Sequence, residues 1–369
     1  MLVSASRSAE SGRTAVRNLA AAPAGSTLRR SSSSSAVGCA AIAPSLVAHR
    51  GSAILLIVQL GVLPFASGAH LLAPEVLVVH AQSVDLAAAG LPIRRLSTAD
   101  QAACVELAAD RGWPPELNRW RLHFAAGEAY GVDDPAGGLA AMVVLTRYGR
   151  QLAAVGTMVV ASRFGHQGLG RRLMTHLLGQ AGPAVVYLAA NTKSHGYSLF
   201  QGVGFRSIDT VNRHAGRFAP RPGDGLPGPV RRASMSDREP MAALDRKAFG
   251  ADRRPVLTEV FGFAERVLVA EDGRGALAGF AAAWRNEDDL LIGPLVAADL
   301  AIARTLITAV AAEEHGSVRV DIRGSHSELA TWAAARGLVP CGSATLMVHG
   351  GDLPGERDKL FAPVSGATG

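Results

Sequence analysis

The sequence predicts an α+β fold of the three-layer α/β kind. Two tandem copies of one domain are expected, each a mixed, mostly antiparallel twisted sheet flanked by helices, after an N-terminal extension that does not fold. Three observations predict it. Residues 155–172 read as strand, glycine-rich corner and amphipathic helix. The Pro/Gly-rich stretch 220–229 holds few residues that could pack, and it divides the chain beyond residue 90. The two sides of that divide echo each other. Pro92-Ile93-Arg94-Arg95-Leu96-Ser97-Thr98-Ala99-Asp100 returns 137 positions later as Pro229-Val230-Arg231-Arg232-Ala233-Ser234-Met235-Ser236-Asp237. Val203-Gly204-Phe205 returns 133 positions later as Arg336-Gly337-Leu338. Two ends in nearly one register, with the same element order between them, mark an internal repeat.

At 369 residues and 48% hydrophobic content the chain has room for two cored domains. Residues 1–90 stand apart. They are rich in Ala, Ser and Arg, include a Ser31–Ser35 run, and lack hydrophobic periodicity. Within them Ser52–Ala69 is apolar but broken by Gln59 and Pro64, short of the about 20 apolar residues a membrane helix needs. An export or organelle signal, a membrane anchor and an unstructured extension without a targeting role all stay open, and composition favours the last. Six arginines face two glutamates in the first 75 residues, so most of the formal +6 lies there and the remainder is near neutral. No basic stripe interleaves with aromatics, which argues against nucleic acid as a partner. Cys39, Cys104 and Cys341 are far apart, form neither a disulfide framework nor a metal spacing, and are expected to be small buried hydrophobes. A cytoplasmic protein, monomer or homodimer and not membrane-bound, is the expectation.

Ordered structure is expected from Leu91: a strand at Pro92–Leu96, then a helix opened by a capping box at Thr98–Gln101 and stopped by Gly112. A second helix, Asn118–Ala126, precedes strands at Ala129–Val132, Leu139–Thr146 and Gln151–Val160. Next comes Gly165-His166-Gln167-Gly168-Leu169-Gly170, followed at once by Leu169, Leu173 and Leu177 at helical spacing, with Arg171, Arg172, Thr175 and His176 on the other face. A helix N-terminus presents amide groups without intrahelical partners and a partial positive charge, and glycine removes the Cβ atoms that would hold an anion away. The corner is therefore a candidate cradle for a diphosphate, while a Gly-x-Gly at a helix start is as often only a tight turn. It is not a P-loop, because it ends Gly-Arg-Arg, and the acid of a Rossmann fingerprint is missing at Ala189-Ala190-Asn191.

A further strand (Ala184–Leu188) leads through Asn191-Thr192-Lys193-Ser194-His195-Gly196 into Tyr197-Ser198-Leu199-Phe200-Gln201-Gly202-Val203-Gly204-Phe205. Here the chain resembles the GNAT superfamily of acyl-CoA-dependent N-acyltransferases. Its loop reads Arg/Gln-x-x-Gly-x-Gly/Ala, matched by Gly168 and Gly170. Its following helix ends Leu-Tyr-x-x-x-Gly-Phe, matched by Leu199, Gly204 and Phe205. Gly165 replaces the usual Arg or Gln, and Phe200 replaces the tyrosine that protonates the departing thiolate. The resemblance implies transfer of an acetyl group from acetyl-CoA to an amine acceptor, without a metal. It further implies that Met158, Val159 and Val160 pair with the pantetheine arm, and that Gly165, His166, Gln167, Gly168, Leu169 and Gly170 hold the diphosphate. Arg171 and Asn191 are further cofactor candidates, though solvation of the one and helix capping by the other explain them as well. Tyr197, one helical turn before Phe200, is the candidate acid, with His195 behind it; Glu128 and Asp110 are candidate bases. The acceptor pocket is expected from Trp113–Phe124, Tyr130 and the second copy. An acyl-CoA-binding sensor with little turnover is the alternative reading.

Residues 91–219 are thus expected to form the catalytic domain, 230–350 a degenerate GNAT-like domain and 351–369 a tail. The second copy repeats a helix (Pro240–Phe249), strands (Arg266–Ala270, Ala276–Trp284, Asp288–Val296), a helix (Ala298–Ala312), a strand (Ser317–Ile322) and a helix (Ser327–Ala335). At its corner stand Pro294, which removes an amide donor, and Asp299, which brings negative charge, so only the first copy is expected to bind the donor.

Overall fold

The computed structural model describes residues 90–366, except 193, 223, 225–228 and 287. The N-terminal extension with its apolar 52–69 stretch and Cys39, and part of the 220–229 linker, lie outside the described residues.

The first copy runs β1 (Ile93–Arg95), α1 (Gln101–Asp110), α2 (Leu117–Ala126), β2 (Gly127–Asp133), β3 (Leu139–Tyr148), β4 (Leu152–Val160), α3 (Leu169–Ala181), β5 (Val185–Ala190), α4 (His195–Gly202) and β6 (Arg206–Gly216). The second repeats it element for element: β7 (Val230–Arg232), α5 (Arg238–Phe249), α6 (Arg254–Phe263), β8 (Arg266–Glu271), β9 (Leu277–Asn286), β10 (Asp289–Ala297), α7 (Leu300–Ala312), β11 (Ser317–Arg323), α8 (Ser327–Ala334) and β12 (Val339–His349). A thirteenth strand, β13 (Leu360–Ala362), falls within the stretch expected as a tail. The sequence expectation also lacks β12 and α6. In α6, Pro255 stands in the first turn, where the missing N–H has no helical partner to lose.

All strands join one sheet, ordered β1-β2-β3-β4-β5-β12-β6-β11-β10-β9-β8-β7, with β13 beside β10. The middle of that order shows an exchange. The last strand of the second copy, β12, pairs antiparallel with β5 of the first, and β6 of the first pairs antiparallel with β11 of the second. β6 and β12 then pair with each other. Helices cover both faces. Leu169, Leu173, Met174, Leu177 and Ala181 of α3 are buried, the stripe its spacing predicts. One cluster unites the copies, with Tyr148, Leu152 and Tyr187 packed among Phe249, Phe280, Trp284, Leu346 and Val348. Among the described residues no helix is long and apolar enough to cross a membrane.

The repeated Arg-Arg-x-Ser-x-x-Asp motif builds the same device twice. The N-cap is Ser97, one residue earlier than the sequence suggests: Asp100 accepts from the Ser97 amide at 2.8 Å, closing the box. Asp237 does the same for Ser234 at 2.6 Å. Arg94 clamps Asp100 at 2.7 Å and reaches across to Asp133 on β2 at 2.8 Å. Arg231 clamps Asp237 and Glu271 on β8, each at 2.8 Å. The Arg94 guanidinium, followed by the Ser97 amide, pulls Asp100 down to about 2, and Arg231 and Ser234 lower Asp237 in the same way. Replacing either Asp by Asn should lower stability by about 1 kcal/mol, read from the urea midpoint. A depressed carboxylate stabilises above its unfolded value of 3.8 and loses that contribution as pH falls toward about 2. The gap between native and Asp100→Asn chains should therefore be full at neutral pH and shrink through that acid window.

Candidate active site

The corner has the shape its glycines suggest, with a division of labour. Gly168 is the N-cap of α3 at φ 83°, a left-handed conformation, and its missing Cβ would meet nothing within 4 Å. His166 is also left-handed, at φ 62°. Among the described residues none accepts a hydrogen bond from the amides of His166 to Arg171. These amides cluster at the start of a 13-residue helix, where its dipole adds positive potential. Gly170 is different: a Cβ there would come within 2.8 Å of Leu199 and 3.0 Å of Met158, so this glycine lets α3 seat against α4 and β4. Asp110 fixes the start of the corner by accepting from the Ser162 amide at 2.6 Å and its hydroxyl at 2.9 Å.

β4 and β5 pair in parallel only at Leu152–Ala154 with Val185–Tyr187. Beyond Ala154 they part, and among the described residues no strand pairs with that edge of Met158, Val159 and Val160. The other edge stays on β3, with a register shift opposite Gly156 and Thr157. The wedge opens at this bulge into a cavity of about 460 Å³. Gly156, Thr157, Ala189 and Asn191 form its donor side, and Trp113, Glu116, Arg119 and Leu122 cover it from α2 and the turn before it. The exchanged strands and β11 supply its floor: Arg213 from β6, Arg319 and Asp321 from β11, and Cys341–Ala344 from β12. Thr157 is held at 2.9 Å by His123 Nε2. His123 is fully buried, and burial, followed by Arg119, pushes its imidazole down to about 3, so it stays neutral.

In the second copy the same wedge is filled. β10 pairs with β11 at Asp289–Ile292, and β13 then takes the freed edge, Leu295 facing Ala362 and Val296 facing Leu360. A Cβ on Gly293 would lie 2.2 Å from the Pro363 carbonyl oxygen. The junction residue Asp299 caps its own helix, accepting from the Ile302 amide at 2.9 Å.

Residues 98–205 match the acetyltransferase (GNAT) family, and residues 241–362 match an acetyltransferase (GNAT) domain. Together these matches cover more than half of the chain. It belongs to the GNAT superfamily. An uncharacterized N-acetyltransferase of Bacillus subtilis (strain 168), YitH, is 24% identical over 266 residues, which span 72% of this chain and 94% of that protein. A protein of Pyrococcus horikoshii, provisionally assigned as an acetyltransferase, aligns with TM-score 0.63 at 21% identity over 76% of this chain and 96% of its own. A tandem GNAT protein from the clavulanic acid biosynthesis pathway aligns with TM-score 0.50 at 16% identity over 71% and 99%. At these identities the solved structures establish the tandem fold.

Within this GNAT architecture the remaining candidates fall into place unequally. Arg171 donates to the Gly202 carbonyl oxygen at 3.0 Å, closing the end of α4. Gln167 donates to the Arg163 carbonyl oxygen at 3.1 Å. Tyr197 is half-buried, with its hydroxyl 3.0 Å from Ser207 Oγ, and neither it nor His195 is among the residues that line the cavity; Phe200 is in the core against Phe205. His195 meets the His166 ring edge-on at 4.9 Å. Glu128 is held by Arg147, Tyr130 and Arg95, and neither it nor Asp110 lines the cavity. Tyr130 and Phe124 do not line it either: Tyr130 packs under α3, and Phe124 faces a separate depression. Cys104 is buried as expected, whereas Cys341 is exposed because its strand faces the cavity rather than the core. Among the described residues no group of three or more His, Cys, Asp or Glu side chains could hold a metal ion. The floor residues Arg213, Arg319 and Asp321 were not candidates from sequence. Their one signal is alternation: in Val318-Arg319-Val320-Asp321-Ile322 every second residue is charged between core positions.

Proposed function

We propose that the first copy moves an acetyl group from acetyl-CoA to a primary amine of a small molecule or peptide by direct attack. The observation that carries this reading is the wedge: one unpaired strand edge that runs from an open, amide-lined helix start to a central cavity. The diphosphate binds the amides of His166 to Arg171, and the pantetheine arm adds as a strand along Met158, Val159 and Val160. The thioester then lies by the Gly156–Thr157 bulge, facing an amine in the cavity. The amine nitrogen attacks the carbonyl carbon, the C–N bond forms and the C–S bond breaks; the thiolate takes a proton from a general acid, and the proton shed by the nitrogen returns through water to that acid. An amine that arrives neutral needs no strong base, which suits a site where Asp110 and Glu128 are engaged elsewhere.

Tyr197 is the acid in this proposal. Tyr148 and Tyr187 are buried in the shared core and Tyr130 donates to Glu128, which leaves Tyr197 as the phenol with a hydroxyl near solvent. Tyr197→Phe should lower kcat by about a hundredfold and leave CoA affinity within about twofold; normal turnover would remove Tyr197 from the mechanism. The function itself is tested with acetyl-CoA and an amine panel, following free thiol. Tight CoA binding without thiol release on any amine would favour the sensor reading, which the buried Phe200 in the usual acid position supports.

A further inference from the structure

We infer that the acceptor is an amino acid with an apolar side chain, and that its carboxylate docks on Arg213. This rests on the acyltransferase reading above. Among the described residues lining the cavity, three guanidinium groups meet two carboxylates. Arg119 is ion-paired with Glu116. Arg319 holds both oxygens of Asp321, at 2.9 and 2.8 Å, and this pair is buried. Arg213 is left over. It lies opposite Asp321 across the β6–β11 ladder, but its Nε stands 3.9 Å from an oxygen that Arg319 already takes. No hydrogen bond to its guanidinium is found among the described residues, and its side chain is 48% exposed.

A half-exposed guanidinium over a cavity presents a planar fork that matches a carboxylate with two parallel hydrogen bonds. The surplus of one positive charge suits a monoanion; a phosphate dianion would overfill it. An amino acid whose amine arrives neutral is such a monoanion, since its carboxylate is then its only charge. Trp113, Phe263 and Trp284 supply apolar wall for a side chain. The cavity, about 460 Å³, is at the small end of ligand pockets.

The test compares apolar amino acids with their carboxamides as acceptors, following thiol release. In the native chain the free acid should exceed the carboxamide in kcat/KM by at least about tenfold, the value of one charge-assisted pair. In Arg213→Gln that ratio should fall to near one, and Arg213→Lys should restore part of it. A carboxamide used as well as the acid by the native chain, or a ratio unmoved in Arg213→Gln, would overturn the inference. Calorimetric titration of the CoA-saturated protein with N-acetyl amino acids and their carboxamides reads the same preference without turnover. Carboxylate-selective binding with no thiol release would sink the acyltransferase reading and keep the Arg213 site. Turnover of amines with no carboxylate preference would sink the Arg213 site and keep the acyltransferase.

Discussion

Gly168→Asp is expected to weaken CoA binding by about a hundredfold or more, with only a small loss of thermal stability. The position is exposed, and nothing lies within 4 Å of where a side chain would begin, so the new group meets no steric obstacle. Its φ of 83° costs a non-glycine residue about 1–2 kcal/mol, and Asp is among the residues that tolerate this region best. The larger effect is electrostatic. A carboxylate at the helix start neutralises the positive potential there and faces a diphosphate across a few ångströms, worth about 1–4 kcal/mol at surface dielectric values. A hundredfold loss corresponds to about 2.7 kcal/mol, inside that range. Gly168→Ala carries the strain without the charge and should lose much less, so the difference between the two variants isolates the anion effect. Calorimetry with CoA measures both, and equal affinity in the Asp and Ala variants would refute the cradle. Gly170→Glu is a poorer probe, because its side chain would first collide with Leu199 and Met158.

Asp245→Ala is expected to cost about 3–5 kcal/mol, the largest stability effect of any single charge removal here. Asp245 on α5 takes two bonds from Arg253, both 2.7 Å, and both side chains are buried at the level of 1% exposure or less. Arg253 also stacks over Phe249, 4.2 Å from the ring centroid. Removing the acid takes away the counter-charge of a buried arginine beside the cluster shared by the two copies. Urea denaturation would show the loss. The double variant Asp245→Leu with Arg253→Met should recover most of it, since an apolar pair needs no counter-charge. A single-variant loss below about 1 kcal/mol would mean that the pair is solvated and that the shared core is looser than described.

What could be read from the chain was what is local or repeated. The α3 stripe, the glycine corner and most strands follow from local spacing, and the doubled Arg-Arg-x-Ser-x-x-Asp motif from the repeat. Pro294 and Asp299 already set the second corner apart from the first. Sequence could not say what takes the free strand edge there, because β13 comes from residues 360–362, far from β10 in the chain. The cavity was illegible for the same reason. Part of its floor exists only because β6 and β12 change sides, and the sequence reading holds no strand at Val339–His349 at all. Arg213 meets Arg319 and Asp321 only through the β6–β11 pairing, which joins residues more than a hundred positions apart. Gly170 marks a subtler limit: a motif identifies a glycine but not whether the backbone there meets a ligand or a neighbouring helix.

The crossing of β6 and β12 has a consequence for inheritance. A gene severed at the Pro/Gly joint would yield two fragments, each carrying a strand that belongs in the other and each with a raw sheet margin where its neighbour was. Neither fragment inherits a complete hydrogen-bond ladder, and such margins invite aggregation. Because the two halves trade strands, losing the half with the filled wedge would dismantle the other. The retention of that second half therefore needs no chemistry of its own to explain it.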